Sequence, residues 1–479
     1  MQLRRAAYAG ALWTAGGTVA VAVLQLSQLA VLAHLLEPGD FGLMALVAVV
    51  LGFVQAYADM GMSGAIVYRQ DVTREQLSTL LWLNLFSGAG MLVLVLLCSP
   101  LLAGIYGEPQ LDGLVSLAAF SLLIAPASQQ FFVLLQRQLR FKAMAVIDVS
   151  ATLGGAATSI ALAYGGHGVR SLVWGLLVNS ALRSLILGAV CFRDWRPLLR
   201  FRRADLAGYT RFGIYQIGER TANFLGGNLD KLLIGALLGT HALGIYGVAS
   251  QFVMKPIQLV NPIVTRVAFP LFARIQDDDA RLRSGFLDAI RILATVLFPC
   301  YVGMLVLAKS FTLAIVGAQW LSMVPTLQIL CVLAMFYCLG NPLGPLLLAK
   351  GRVDLGLYLN VWRTTLFAIA IPVGAKWGIE GVASALVITV VCLVFPVSFR
   401  IRWWLVEMRA FEYIKAFGLP LLAAVLMSAA MLGARQLGAQ LRNPLADLAV
   451  LSLFGGLVYL VVTLALERRF MAGLRDVLR

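Results

Sequence analysis

Long apolar runs alternate with short polar connections along the whole chain. A helix crossing about 30 Å of hydrocarbon needs about 20 predominantly apolar residues. Fourteen runs approach or exceed that length, at roughly 10–34, 43–66, 77–98, 113–133, 143–164, 171–191, 214–237, 243–264, 287–308, 323–346, 355–374, 380–398, 416–434 and 445–465. Backbone groups in lipid must find their hydrogen bonds within the segment, so each run predicts an α-helix. The pattern therefore predicts an all-α polytopic membrane protein. The first run follows Arg4 and Arg5 as a secretion signal would. It continues apolar to Leu36 with no polar cleavage region, so it is expected to stay as the first membrane helix.

Composition agrees and narrows the class. The 479 residues are 60% hydrophobic and 13% charged, against about 45–50% and about 25% in soluble domains. A net charge of +15 would suggest nucleic acid in a soluble protein, but no basic face is available for it. The charge instead follows the connections. An even number of segments puts both termini on one side, and RDWRPLLRFRR at 193–203, ARIQDDDARLR at 273–283 and the tail ERRFMAGLRDVLR all fall on that side. The other side holds five basic residues, Arg170, Lys309, Lys376, Arg435 and Arg442. By the positive-inside rule both termini are expected in the cytoplasm. The outer connections are short and leave no room for a catalytic domain. The six cysteines lie in or beside apolar runs with no CxxC pair, so they read as small buried hydrophobes.

The first half echoes in the second. LLEPGDFGLM (35–44) aligns with LLGTHALGIY (237–246), AGIYGEPQL (103–111) with LAIVGAQWL (313–321), and GVRSLV (168–173) with GVASAL (381–386). The matches fall at equivalent connections. They predict two parallel six-helix lobes, 1–195 and 196–400, with two further helices and a tail over 401–479.

The stretches LLEPGDFGLMALV (35–47), ADMGMSGAIVYRQ (58–70) and especially 228–278 resemble the polysaccharide transporters of the multidrug/oligosaccharidyl-lipid/polysaccharide flippase superfamily. Within it the chain is most similar to Wzx-type exporters of the colanic-acid kind. The resemblance implies a 6+6+2 helix fold with a central cavity, in a bacterial inner membrane. It implies transbilayer movement of an undecaprenyl-pyrophosphate-linked oligosaccharide, with the polymerase and co-polymerase of the same pathway as protein partners. No cofactor, no nucleic acid and no covalent chemistry are expected.

Ionisable residues inside a span cost about 2.5–3.5 kcal/mol on insertion scales and usually mark function. This chain keeps Asp59, Asp148, Arg183, Glu219, Arg220, Asp230, Lys231, Lys255, Asp288, Arg291 and Arg363 in or beside its spans. Asp288, Arg291 and Arg183 lie near the inner edge and read as snorkelling side chains. Glu219-Arg220 and Asp230-Lys231 are three turns apart, with Asn223, Gly226, Gly227 and Asn228 between them, so one face of the seventh segment is polar. In the eighth, Lys255 lies between Gln251 and Gln258, and Pro256 and Pro262 are expected to kink the helix. Arg363 sits beside Asn360 in the eleventh.

A diphosphate headgroup cannot cross hydrocarbon unaided, and cations in a cavity offset that cost by charge-assisted hydrogen bonds. Lys255, Arg220, Arg363, Lys231, Asn223, Gln251 and Gln258 are thus the candidate substrate contacts. Asp59, Asp148, Glu219 and Asp230 are candidates for ion coupling or for pairing with those bases. Asp277-Asp278-Asp279 reads as a helix start, and His34, His167 and His241 lack ligand spacing, so no metal site is expected.

Three alternatives are open. A drug antiporter would want an acid-dominated cavity, and the intramembrane set leans basic. Flippases of the peptidoglycan lipid precursor carry charges in the first helix, which this chain lacks. A polysaccharide polymerase or ligase would need a large outer loop bearing catalytic Arg or His.

Overall fold

Apolar runs in lipid have no backbone partner but themselves, and the computed structural model contains only helical elements among its described residues. Those residues are 2–58, 73–192, 198, 201–202, 210–439 and 443–466, without the side chains of 2–9, 11, 56, 58, 127, 210–220, 222, 223, 263–267, 438 and 439. They form two compact units, Met1–Gly244 and Ile245–Arg479.

The first unit holds α1 (Gln2–Leu35), α2 (Pro38–Ala58), α3 (Arg74–Tyr106), α4 (Pro109–Ala119), α5 (Ser121–Arg137), α6 (Phe141–Tyr164), α7 (Arg170–Cys191) and the start of α8 (Thr210–Arg274). Thr73 begins α3 with a capping box closed by Gln76, and Gly107 ends it in the left-handed conformation at φ 68°. Helix α6 packs against both α1 and α7. At the α6–α7 crossing a Cβ on Gly155 would lie 2.7 Å from the Gly175 carbonyl oxygen. Small residues let helix backbones approach in this way.

Thirteen helices among the described residues are long and apolar enough to span a membrane, one of them the 39-residue stretch Phe224–Pro262. That stretch is interrupted at Gly239 (φ 81°, ψ 177°). Counting its two arms separately restores the fourteen segments read from hydropathy. The dihedrals leave the helical region at Gly239, in the connection between the runs 214–237 and 243–264, and stay helical through Pro256 and Pro262. Proline's fixed φ is itself helical, and only its missing N–H and ring clash oppose the helix; within membranes the freed carbonyls find other partners.

The repeat leaves a physical mark in the first unit. Its first offset, 202, sets Pro38 against Thr240 and Gly42 against Gly244. A Cβ on Gly42 would collide with the Thr240 carbonyl oxygen, and a Cβ on Gly244 with the Pro38 carbonyl oxygen. Such reciprocity, in which i meets j′ and i′ meets j, is the signature of a two-fold contact. Thr240 Oγ1 also donates to Glu108 Oε1 at 2.7 Å, tying the crossing to the α3–α4 corner.

The second unit contains α9 (Asp279–Val306), α10 (Ala308–Phe311), α11 (Met323–Gly340), α12 (Leu343–Ala349), α13 (Val353–Ala375), α14 (Gly378–Thr389), α15 (Phe395–Val406), α16 (Ala410–Ala434) and α17 (Pro444–Leu466), with a π-helical turn at Val390–Val394 joining α14 to α15. Helix α9 is central, packing on α11 and α16, while α17 lies against α16. Asp278 caps α9, its Oδ1 accepting from the Arg281 N–H at 3.0 Å, as the acidic triplet led one to expect.

Polar ties close both ends of this unit. At one end Lys350 Nζ donates to the Gln276 carbonyl at 2.7 Å and to Asp279 Oδ1 at 2.5 Å, and Arg283 lies 3.6 Å from Glu412. At the other, Arg435 Nη2 donates to Asp447 Oδ2 at 3.0 Å and to Ser310 Oγ at 2.7 Å. The outer surface is apolar: Leu97 and Phe411 are 74% and 75% exposed, as lipid-facing side chains would be. The cysteines divide differently from expectation. Cys191, Cys331 and Cys338 are buried, but Cys300 and Cys392 are exposed and Cys98 half-buried, because an apolar run in a membrane protein has an outward face as well as a core face.

Candidate functional site

The second unit forms an open-sided cavity of about 440 Å³, within the range of small-molecule sites. Helical spacing decides what faces it. Gly356, Leu359, Asn360 and Arg363 recur at i, i+3, i+4 and i+7 on α13, and Phe395, Ser398 and Arg402 do so along α15. The arm 240–274 adds Ile257, Gln258 and Asn261, and Asn341 enters from the turn after α11. The π turn at Val390–Val394 contributes Val390 and Val394; such turns often occur at functional sites.

Two arginines give the cavity its charge. Arg363 has no partner for its buried Nε, and its Nη2 reaches Asn360 Oδ1 only at 3.4 Å, a weak hydrogen bond. Arg402 is fully buried. Its Nη1 donates to Ser398 Oγ at 3.1 Å and its Nη2 to the Leu339 carbonyl at 3.5 Å, while Nε has no partner. No carboxylate among the described residues pairs with either guanidinium.

What surrounds Arg402 is aromatic. The rings of Tyr413, Phe286 and Phe395 lie 5.3, 5.8 and 5.8 Å from its guanidinium carbon. Tyr413 is fixed in turn by donating its hydroxyl to the Leu339 carbonyl at 2.9 Å. Each cation–π contact contributes about 0.5–2 kcal/mol. Burying an uncompensated charge costs several kcal/mol, so the cage offsets a part of that cost.

The sequence candidates are distributed across both units. Gln258 and Arg363 line the cavity. Lys255 is half-buried on the same arm, one turn before Gln258, and Gln251 is exposed. Lys231 and Asp230 belong to the first unit, where Lys231 Nζ donates to Asn228 Oδ1 at 3.1 Å rather than to its neighbour's carboxylate. Glu219, Arg220 and Asn223 lie on the helical run of the first unit, their side chains outside the described set, and Asp59 lies outside the described residues altogether. Asp148 pairs with Arg183 at 2.9 Å, and Arg183 also sits 4.8 Å over the Phe132 ring. Asp148, a candidate for pairing with a base, thus lies beside one.

Arg402 escaped the sequence reading. The twelfth apolar run was ended at 398, which left Arg402 in the connection that follows. The signal that would have found it is the four-residue spacing from Ser398, with Phe395 one turn earlier.

Two helical units with an apolar exterior, the second holding an arginine-lined cavity, define a polytopic all-helical membrane protein. Residues 31–325 match the family described as polysaccharide biosynthesis protein, and the chain belongs to that family. It is 35% identical over 376 residues to the lipopolysaccharide biosynthesis protein WzxC of Escherichia coli (strain K12), covering 78% of this chain and 76% of that one. It is 33% identical over 423 residues to the teichuronic acid biosynthesis protein TuaB of Bacillus subtilis (strain 168), covering 88% and 86%. Its fold matches that of the lipid II flippase MurJ in an inward closed conformation, with a TM-score of 0.77 at 15% identity over 96% of this chain and 100% of the other. An inward-facing multidrug resistance MATE family transporter of the MOP superfamily matches with a TM-score of 0.62 at 16% identity, over 81% and 96%. The family and the all-helical fold expected from residues 35–47, 58–70 and 228–278 are those found.

Proposed function

We propose that this protein is a flippase for an undecaprenyl-pyrophosphate-linked oligosaccharide. It moves the headgroup from the cytoplasmic to the periplasmic leaflet of a bacterial inner membrane, with both termini in the cytoplasm. The product feeds capsule, exopolysaccharide or O-antigen synthesis, and the pathway's polymerase and co-polymerase receive it. Alternating access around cationic groups does the work without covalent chemistry, while the lipid tail stays in the bilayer.

The observation that carries this reading is a cavity whose two guanidiniums, Arg363 and Arg402, have no carboxylate partner among the described residues. Polar side chains buried in a membrane protein are expensive and are retained where cargo needs them. An acid-neutralised cavity would suit a cation; an unneutralised one suits an anion. Lys255, Arg220 and Lys231 supply further charge along the path, Asn223, Gln251 and Gln258 contact sugar hydroxyls, and Asp59, Glu219 and Asp230 balance or couple that charge. Names in the family point the same way, since WzxC and TuaB are both polysaccharide biosynthesis proteins.

The test is reconstitution of the full chain in proteoliposomes with lipid-linked oligosaccharides of defined structure, with and without a pH gradient. Movement of the headgroup to the far leaflet is expected, and Lys255→Ala and Arg220→Ala are expected to abolish it while the protein still inserts and folds. Unchanged movement in both variants would overturn the cationic-path mechanism. In-vitro glycan polymerisation by the purified protein would overturn the assignment itself.

A further inference from the structure

Where α9 and α16 begin, the two helices border a second open-sided cavity, of about 380 Å³. Helical spacing selects what faces it. Ser284, Asp288 and Arg291 recur at i, i+4 and i+7 on α9, and Glu412 and Lys415 at i and i+3 on α16. Arg283 also lines the cavity but is already engaged, 3.6 Å from Glu412 and donating to the Glu407 carbonyl at 3.1 Å. An acid and a base are left apart. Among the described residues no hydrogen bond or salt bridge holds Asp288, Lys415 or the Ser284 hydroxyl. Arg291 attracts the Asp288 carboxylate only through space. Charges at a membrane margin are costly and tend to pair, and this chain pairs them close by, Arg283 with Glu412 and Lys350 with Asp279. Here it keeps opposite charges in one cavity without joining them.

The second observation is depth. Trp403 and Trp404, near the end of α15, are both exposed, and exposed indoles gather at the headgroup level of a bilayer. Phe411, one turn before Lys415, is exposed as well, so apolar surface continues outward past the cavity. At a rise of about 1.5 Å per residue, Ser284 and Lys415 each lie about 8 Å from the start of their helices. The cavity therefore opens where phospholipid headgroups lie.

An anion alone would be repelled by Asp288, and a cation alone by Lys415 and Arg291. A group carrying both signs answers the whole cavity. In a phosphoethanolamine headgroup the phosphate accepts from Lys415 and Ser284, and the primary ammonium donates to Asp288. A trimethylated choline nitrogen has no N–H to donate, and a glycerol headgroup has no cation.

We propose that this cavity is a binding site for the phosphoethanolamine headgroup of a membrane aminophospholipid. It shares no residue with the cavity of Arg363 and Arg402, and it requires only that the chain spans a bilayer. Soluble glycerophosphoethanolamine presents the same chemistry without the tails.

The experiment places the full chain in nanodiscs of mixed lipid. Lipid retention, read by native mass spectrometry, and Tm are compared for phosphatidylethanolamine, its mono- and dimethyl forms, phosphatidylcholine and phosphatidylglycerol. Glycerophosphoethanolamine is titrated into phosphatidylcholine discs. Phosphatidylethanolamine should be retained at least about tenfold over phosphatidylcholine, the value of one charge-assisted hydrogen bond, and retention should fall with each added methyl. Asp288→Asn and Lys415→Gln should each remove about tenfold of that preference. If Asp288 merely balanced Arg291, Asp288→Asn would move Tm equally in both lipids and leave the preference intact. A Tm raised by glycerophosphoethanolamine would show that the free headgroup suffices; a response to the intact lipid alone would assign the source to the membrane. Either supports the site. Equal retention of phosphatidylethanolamine and phosphatidylcholine, stronger retention of phosphatidylglycerol, or a preference unchanged in either variant would overturn it. Should Asp288→Asn not fold, Lys415→Gln carries the same comparison. Headgroup transport by a chain that shows no such lipid preference would sink the site and spare the flippase. The preference without transport would do the reverse.

Discussion

The reciprocal contact of Gly42 and Gly244 makes a quantitative prediction about alanine. At Gly42 the added methyl would meet the Thr240 carbonyl oxygen, and at Gly244 the Pro38 carbonyl oxygen. The obstruction is backbone in both cases, so no side-chain rotation relieves it. Overpacking of this kind costs about 1–3 kcal/mol, and backbone obstruction places it near 3. Against that, alanine gains about 1 kcal/mol over glycine in a helix. The net loss is about 2 kcal/mol, or about 4–8 °C in Tm for a unit of this size. Gly39→Ala is the internal control: nothing lies within 4 Å of its Cβ, so only the helix gain applies and Tm should hold or rise. The double variant is more telling. One displacement of the two segments accommodates both methyls, so the combined loss should fall short of the sum by about 1 kcal/mol or more. Thermal unfolding of the purified chain, followed by tryptophan fluorescence, reads all four proteins. Equal melting of Gly42→Ala and Gly39→Ala, or strict additivity in the double variant, would refute the two-fold crossing.

Other outcomes can be checked beside it. Asp447→Asn strips the charge from a carboxylate only 3% exposed and leaves Arg435 unmatched, so it should cost about 3–5 kcal/mol, read as a fall in Tm; a loss under about 1 kcal/mol would mean the pair is not buried as described. Asp148→Asn should cost about 1 kcal/mol or less, since both partners are about a third exposed (33% and 31%), and headgroup movement in proteoliposomes should persist. Loss of movement, or of its dependence on a pH gradient, would instead make Asp148 an ion-coupling group. Arg363→Ala should reduce headgroup movement at least tenfold while leaving the unfolding free energy within about 1 kcal/mol of wild type, because its present bonds are so weak.

Much of this was legible in the sequence because lipid imposes one rule on every segment: satisfy the backbone internally. Fourteen segments and the repeat follow from that rule and from spacing. The repeat's first alignment even paired the glycines that meet in space. What was not legible depended on partners distant in the chain. Arg402 was read as part of a polar connection because apolar runs end where charges begin. Only tertiary structure shows three rings, from α9, α15 and α16, closing around it. Asp148 and Arg183 are 35 residues apart, and no local pattern predicts that they pair.

The two tied ends of the second unit differ in a way that reaches beyond stability. The Lys350–Asp279 and Arg283–Glu412 pairs meet solvent, with Asp279 57% exposed. Arg435 and Asp447 are shielded by protein. Mobile ions screen exposed charges over about 8 Å at physiological ionic strength and about 3 Å at 1 M, and reach buried pairs far less. Raising salt therefore slackens one end of the bundle and leaves the other clasped. Ionic strength thus acts on the two ends unequally without altering a residue.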